Sequence, residues 1–339
     1  MKNALTAAII LAMTGGMTVP AFAGGADSTT IGGKIYADLT WLKQELDDQD
    51  TAASGYGLDV KRFYLSVDHG FDDVWSADLT TDFDYVSQDG KTQLFVKKAY
   101  IQAAFDKAAT LRAGSADMPW IPFVEQVYGY RFVEKTITDR LGFANSADWG
   151  VHLLGKPHGS LSYQVSLVNG GGYKNPSRSD GMDIAARVGF EPIAGLTIAI
   201  GGYDGHRDKD FSDAPANHTA TRYDALVAYV HPGFRFGAEY FRASNWDNVT
   251  TLTTDSADGY SIFASAAVAR NLNVFARYDH ASLSNDLNPS LEDKYYNVGV
   301  SFQARDNIEV ALAYKRESKS DAQHSLKTGE IGVWTEVKF

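Results

Sequence analysis

The chain has 339 residues, with 31 Lys and Arg against 42 Asp and Glu, and no cysteine. The missing cysteines exclude a disulfide scaffold, a thiolate zinc site and a cysteine nucleophile, and an acidic chain without a basic cluster excludes a nucleic-acid binder. Nine prolines beside 31 glycines, 18 tyrosines and 18 phenylalanines favour many strands joined by tight turns.

Residues 1–23 read as a removable export signal. Lys2 is the basic n-region, Ala4 to Met13 the apolar core, and Ala21-Phe22-Ala23 places small residues where a signal peptidase reads. The apolar run is too short to cross a bilayer as a helix, and no later stretch is long enough. Cleavage after Ala23 leaves 24–339 as a single domain beginning at Gly24. That portion holds 30 basic and 42 acidic side chains, a formal charge of −12.

From there the sequence alternates with period two. Ile31, Gly33, Ile35, Ala37, Leu39 and Trp41 interleave with Lys34, Tyr36, Asp38 and Thr40, which is a strand with one apolar and one polar face. The same pattern returns at 77–85, 161–167, 183–190, 234–240, 272–279 and 330–339. Short connections are expected at 69–73, 106–109, 156–159, 191–195, 231–233, 269–271 and 304–307. Long ones are expected at 44–56, 115–146, 170–181, 205–219, 245–258, 283–293 and 318–326, with a modest one at 86–91. About sixteen antiparallel strands result, an even number with short turns at one end and long loops at the other, as in a transmembrane β-barrel of an outer membrane. Closure is obligatory there, because lipid satisfies no open sheet edge.

The polar rows carry charges at mid-strand, as a wet lumen requires. Phe105, Phe190, Phe234, Phe302 and Phe339 lie by the short turns, and Trp41, Tyr85, Tyr223 and Tyr260 by the long loops. They are candidate aromatic girdles at two membrane interfaces. The strand phases put Lys34, Arg62, Asp78, Asp82, Lys98, Arg187, Arg235, Glu239, Arg277 and Asp279 on the lumen wall, together with Asp38, Asp84, Arg112, Asp183, Arg222 and Asp224.

The terminal strand, ending on Phe339 with apolar residues at alternate positions before it, resembles the C-terminal assembly signal of Gram-negative outer-membrane proteins. The resemblance implies recognition by the barrel assembly machinery, with Phe339 as part of the signal. A second resemblance runs through the middle of the chain. Arg112-Ala113-Gly114-Ser115 leads into Met118-Pro119-Trp120, followed by Glu125, Phe132-Val133-Glu134-Lys135 and Arg140, and then by Asp148-Trp149-Gly150-Val151. With Val168-Asn169-Gly170, Arg187 through Pro192 and Ala238-Glu239-Tyr240, this order is similar to the phosphate-selective porin O and P family. The likeness implies a homotrimer and a lumen whose basic residues select phosphate. The third loop, however, holds Arg131, Lys135 and Arg140 against Asp117, Glu125, Glu134 and Asp139. That mixture does not define an anion path.

The third loop, 115–146, is the candidate site. Trp120, Ile121, Phe123, Val127, Tyr128, Tyr130, Phe132 and Ile137 are too apolar to be left in water, so the loop is expected to fold into the lumen and narrow it. Pro119 and Pro122 suit the start of a short helical turn through Glu125 to Tyr128. Arg112, Glu125, Arg131, Glu134, Lys135 and Arg140 are the candidates for the constriction. No catalytic motif is found, and no cofactor is expected. His152 has no evident serine partner. Asp204, Asp208, Asp210 and Asp213 lack EF-hand spacing, and Glu45, Asp47, Asp48 and Asp50 read as a solvated run that could meet divalent cations among lipopolysaccharide phosphates. The expected function is a weakly selective diffusion porin for small hydrophilic solutes and ions, with at most a mild cation preference from the net charge. The alternatives are a specific channel for phosphate or another small anion, and a barrel without a channel (an adhesin, a structural protein or a hydrolase). Lipid, lipopolysaccharide and small solutes are the expected partners.

Overall fold

A computed structural model describes residues 27–86, 91–209 and 211–339, with backbone only at 84–86. The proposed export signal, the side chains of Asp84 and Tyr85, and Asp210 therefore lie outside the description.

Seventeen strands form one sheet, all neighbours antiparallel. They are β1 (Ser28–Leu46), β2 (Gln49–Asp50), β3 (Gly55–Gly70), β4 (Trp75–Val86), β5 (Lys91–Ala104), β6 (Thr110–Asp117), β7 (Ala147–His158), β8 (Leu161–Val168), β9 (Asp183–Phe190), β10 (Leu196–Gly205), β11 (Ala220–His231), β12 (Phe234–Ser244), β13 (Ser256–Ala269), β14 (Leu272–Ser282), β15 (Glu292–Arg305), β16 (Ile308–Ser320) and β17 (Ser325–Lys338). Two short helices, α1 (Ile121–Tyr128) and α2 (Ile137–Arg140), lie between β6 and β7. The sheet closes where β1 pairs with β17, from Lys34 opposite Lys338 to Leu46 opposite Leu326. Sixteen strands make the barrel wall. The two-residue β2 folds back on Glu45 and Leu46 and is an extension of the first long connection.

The expected alternation is present in space. Val165, Leu167, Ile184 and Val188 are exposed on the outer surface, while Gln164, Ser166, Asp183 and Arg187 between them are buried inside. The five phenylalanines expected by the short turns are all exposed, as are Trp41, Tyr223 and Tyr260 by the long loops. Some connections differ in length. Strands β16 and β17 pair down to Ser320 and Ser325, so the connection placed at 318–326 is a four-residue turn. Strand β7 runs past Gly155 to His158 through an irregular register. Strand β6 continues to Asp117 opposite Ala147, so the third loop begins at Met118 rather than Ser115.

Of the register shifts among the described strands, two lie well inside their strands, away from the short turns. In β3 the register shifts between Tyr36 and Ala37 of its partner, leaving Lys61 as the extra residue. In β5 it shifts opposite Thr80 and Thr81, leaving Lys97. A bulge places two consecutive residues against one and re-aims a side chain, so Lys97 joins Lys98 on the inner face.

The third loop folds into the lumen. Trp120, Phe123, Val124, Tyr128, Tyr130, Phe132 and Val133 pack with Ala199, Leu226, Ala228, Phe263, Phe275, Ala311, Ala313 and Trp334 of the wall. Met118, Ile137 and Phe143 pack with Tyr203, Phe241 and Trp246 further toward the long-loop end. All eight apolar loop residues expected to need a surface find one, Val127 only partly. Each large apolar side chain so buried contributes about 1.5–3 kcal/mol. Half the barrel interior is thus a conventional core. Gly114, at φ 130°, sits where β6 lies tightly on β5: a Cβ there would stand 2.1 Å from the carbonyl oxygen of Ala99.

Phe339 exchanges backbone hydrogen bonds with Gly33 at 2.8 and 3.1 Å. Its ring lies over Gly33, where a Cβ would meet the ring's edge at 2.3 Å. The last residue is therefore built into the seam that closes the barrel.

Candidate functional site

The loop is fixed to one wall by hydrogen bonds from wall arginines and by ion pairs. Helix α1 has Pro122 in its first turn, and its N-cap residue, Trp120, makes no side-chain cap. The Trp120 indole instead donates to Oε1 of Glu239 on β12 at 2.8 Å. The helix ends on Gly129 at φ 81°, the left-handed C-terminal position that favours glycine. The Arg235 guanidinium fills the space a Cβ would need there. A cation thus meets the carbonyl end of a helix whose own last turn has none. Arg187 donates to the carbonyl of Pro119 at 3.0 Å and lies over the Phe123 ring. Arg222 donates to the carbonyl of Phe143 at 2.6 Å, and Arg277 to that of Lys135.

Beyond α1 the anchoring becomes ionic. Arg140 of α2 reaches Asp279 of β14 at 3.3 Å, Asp293 of β15 at 2.6 Å and Glu317 of β16. Glu134 pairs with Lys315, which also holds Glu330 at 2.7 Å. These contacts correct two expectations. Glu134 and Arg140 do not face the opening, because the wall carboxylates and Lys315 draw them into the packed side. Arg112, also a constriction candidate, donates to Gln102 at 2.8 Å and lies over the Tyr100 ring. Of the expected wall residues, Arg187, Glu239, Arg277 and Asp279 hold the loop, and Asp78 bonds Thr80 on its own strand.

The opposite side of the lumen is open. Two cavities lie between the loop and the wall around β1 to β5, one toward the short turns of about 690 Å³ that also reaches Arg235 of β12, Glu309 of β16 and Glu336 of β17, and one toward the long loops of about 250 Å³. Tyr64, Lys97 and Arg131 border both, so the cavities meet at a waist with Arg131 on the loop and the other two on the wall. Glu125, Lys34, Lys98 and Arg235 line the larger cavity. Arg62, Asp82 and Lys135 line the smaller. Most of these charges are paired: Arg131 with Glu125 and Asp139, Arg62 with Asp82 at 3.5 Å, Lys98 with Asp117 at 3.6 Å and Lys34 with Glu336 at 3.8 Å.

Lys97 is the exception at the waist. Among the described residues it has no carboxylate within 4.0 Å. Its ammonium lies 4.7 Å from the Tyr64 ring centre and 5.8 Å from that of Tyr173. Strict alternation assigns Lys98 to the lumen and Lys97 to the outside. The signal that both turn inward is the doublet itself, since an unbroken strand would leave one lysine on the apolar outer face.

Other sequence candidates resolve differently. His152 does have a serine neighbour, with Nδ1 2.9 Å from Oγ of Ser166. Both residues are fully buried, so no substrate reaches the pair. In the first loop Lys43 holds Glu45 and Asp50, His324 holds Asp47 and Lys327 holds Asp48. His324 is raised above the usual histidine range by its hydrogen bond to Asp47, and Asp47 is held below the usual carboxylate range by the same contact. Asp208 accepts from Asn175 and Ser177. No cluster of three or more possible metal ligands occurs among the described residues.

No family model and no curated protein matches the chain. Solved structures do resemble it in fold. An anion-selective porin from Comamonas acidovorans superposes with a TM-score of 0.64 at 11% identity, over 92% of this chain and 100% of that one. OmpF of Salmonella typhi, solved in complex with daunomycin, gives 0.63 at 11% identity over 93% and 98%. OmpT of Vibrio cholerae, an outer membrane protein in its trimer form, gives 0.61 at 12% identity over 93% and 100%. The chain is similar to these proteins in its barrel.

Proposed function

We propose that the protein spans an outer membrane as a water-filled channel for small hydrophilic solutes and ions, after loss of residues 1–23. The observation that carries this reading is the pair of polar cavities meeting at Tyr64, Lys97 and Arg131, beside a loop that fills only the other half of the barrel. A barrel of sixteen strands is wide enough to leave such a passage, and its exposed apolar band with aromatic ends suits a bilayer. The short turns then face the periplasm and the long loops the exterior. The fold likeness to a trimeric outer-membrane protein supports a homotrimer. A transport role, rather than catalysis, accords with the inaccessible His152–Ser166 pair.

The passing ion meets the charges of the lining rather than those of the whole chain. Among the described residues, the smaller cavity is lined by Arg62, Lys97, Arg131, Lys135 and Lys174 and by Asp82 and Asp139. We read this lining as favouring anions, in place of the mild cation preference expected from net charge. The phosphate-specific alternative has less support, because Arg62, Arg131, Lys98 and Lys34 already hold carboxylates.

Single-channel recording in planar bilayers tests the reading. Stable conductance with a weak anion preference in a KCl gradient is expected; a folded barrel that never conducts would refute it. Val274→Arg, on the exposed outer face, should destabilise the membrane-embedded barrel by about 2–4 kcal/mol. An intact mass beginning at Gly24 should accompany the assembled protein.

A further inference from the structure

Cations and aromatic rings alternate along the open wall. Lys174 lies 4.4 Å from the Phe95 ring centre and 5.9 Å from that of Tyr173. Lys97 follows, between Tyr173 and Tyr64. Tyr64 meets Tyr36 edge to face at 5.9 Å. The series starts in the smaller cavity, passes the waist at Lys97 and Tyr64, and reaches the larger cavity at Tyr36.

Lys97 differs in this from the paired charges elsewhere in the lumen. The Tyr64 hydroxyl accepts from the Lys97 ammonium at 3.5 Å, and neither that neutral oxygen nor the ring beside it neutralises the charge, so Lys97 keeps it for a passing anion. A carboxylate held by Lys97 lies within reach of two rings at once. Aromatic pairs gain when their centres stand about 4.5–7 Å apart, offset or edge to face, and a tyrosine beside the ammonium offers that surface to a planar anion. A phosphate or an aliphatic carboxylate would meet the same charge but gain nothing from the rings. Lys97, Tyr64 and Tyr173 all line the smaller cavity, about 250 Å³, which continues past the waist into the larger one.

We propose that the waist is a binding subsite for aromatic carboxylates, with Lys97 taking the carboxylate and Tyr64 and Tyr173 flanking the ring. The subsite rests on the channel reading above and adds a substrate class to it.

The experiment compares benzoate with cyclohexanecarboxylate, two anions of equal charge and similar size that differ in the π-face. Each is added to single wild-type channels conducting KCl. Benzoate is expected to reduce the KCl current with an apparent half-saturation several-fold lower than cyclohexanecarboxylate. Tyr64→Leu should abolish the difference and Tyr64→Phe should keep it, while Lys97→Gln should weaken both anions alike. Equal action of the two anions on wild type would overturn the proposal, as would a difference that persists undiminished in Tyr64→Leu. Should Tyr64→Leu fail to assemble, Tyr173→Leu, in the loop after β8, makes the same test and should reduce the difference. Conductance in KCl alone separates the two readings: channels that conduct but do not discriminate defeat only the subsite, whereas silent barrels defeat the channel itself.

Discussion

On the β14–β16 wall, Arg140 of the third loop is surrounded by Asp279, Asp293 and Glu317. On the β3–β5 wall, Lys97 faces the rings of Tyr64 and Tyr173 across an open cavity. The two walls draw on the same inward row of alternating strands, and their sequences carry similar numbers of charges. They differ in what lies opposite. Where the inward rows include Ala199, Leu226, Ala228, Phe263, Phe275, Ala311 and Ala313, small and apolar side chains leave space and surface for the loop. Charges beside them become its anchors. Where the inward rows keep tyrosine, lysine and aspartate, the loop stays away and the cavities remain open.

The difference is tested most severely by removing the loop. Replacing residues 121–138 with a short Gly-Ser bridge should leave a barrel that assembles and raise single-channel conductance severalfold. Unchanged conductance in a folded deletion variant would mean that the loop is not the constriction. The anchors come next. Arg140→Met strands three wall carboxylates near one another and should cost about 3–5 kcal/mol in urea unfolding from lipid, as expected when one partner of a buried ion network is lost. Lys97→Met on the open wall should cost no more than about 0.5 kcal/mol, because it removes no carboxylate partner. Similar costs for the two would erase the distinction between the walls. The same Lys97→Met channel should nonetheless change function: its reversal potential in a KCl gradient should move toward the cation value, whereas an unmoved potential would show that Lys97 lies off the ion path.

Much of this division was legible in the residues. Period two sorted the strands into outer and inner rows because one face of each strand meets an apolar surrounding and the other does not. The apolar side chains of the loop required a surface, and a wide barrel has one. Which charges would border the opening was not legible. That depends on pairings across strands far apart in sequence, such as Arg140 with Glu317 or Trp120 with Glu239, which no local spacing encodes. Lys97 was hidden for a different reason. A bulge changes the phase of half a strand, and alternation read from one end carries the error through. The inward Phe263 and Phe275 were a readable sign, since large apolar rings in a lumen row need a dry neighbour. They mark the wall that the loop covers.

The smallest expected effect lies outside both walls, at the long-loop rim of the seam between β1 and β17. His324, in the turn before β17, hydrogen-bonds the Asp47 carboxylate at 2.9 Å, and the backbone N–H of Ser325 donates to the same group. The folded histidine is raised above its ordinary value by that partner. The stability it contributes is therefore complete below the ordinary histidine range, near 6.5, and is lost as pH rises through the raised value. Asp47 is depressed by the same contact. Its contribution is present above the ordinary carboxylate range and is lost as pH falls through the depressed value. The contact should be strongest between those limits and weaken on either side. Both groups are solvent-exposed, where water and salt screen an ion pair, so the barrel as a whole should hardly respond. The measurement is local: amide hydrogen exchange at Ser325 and Leu326 should quicken as pH rises above the His324 titration, after correction for intrinsic exchange, and His324→Gln should remove that step. An identical pH profile in the variant would show that the rim is held by the strand pairing alone.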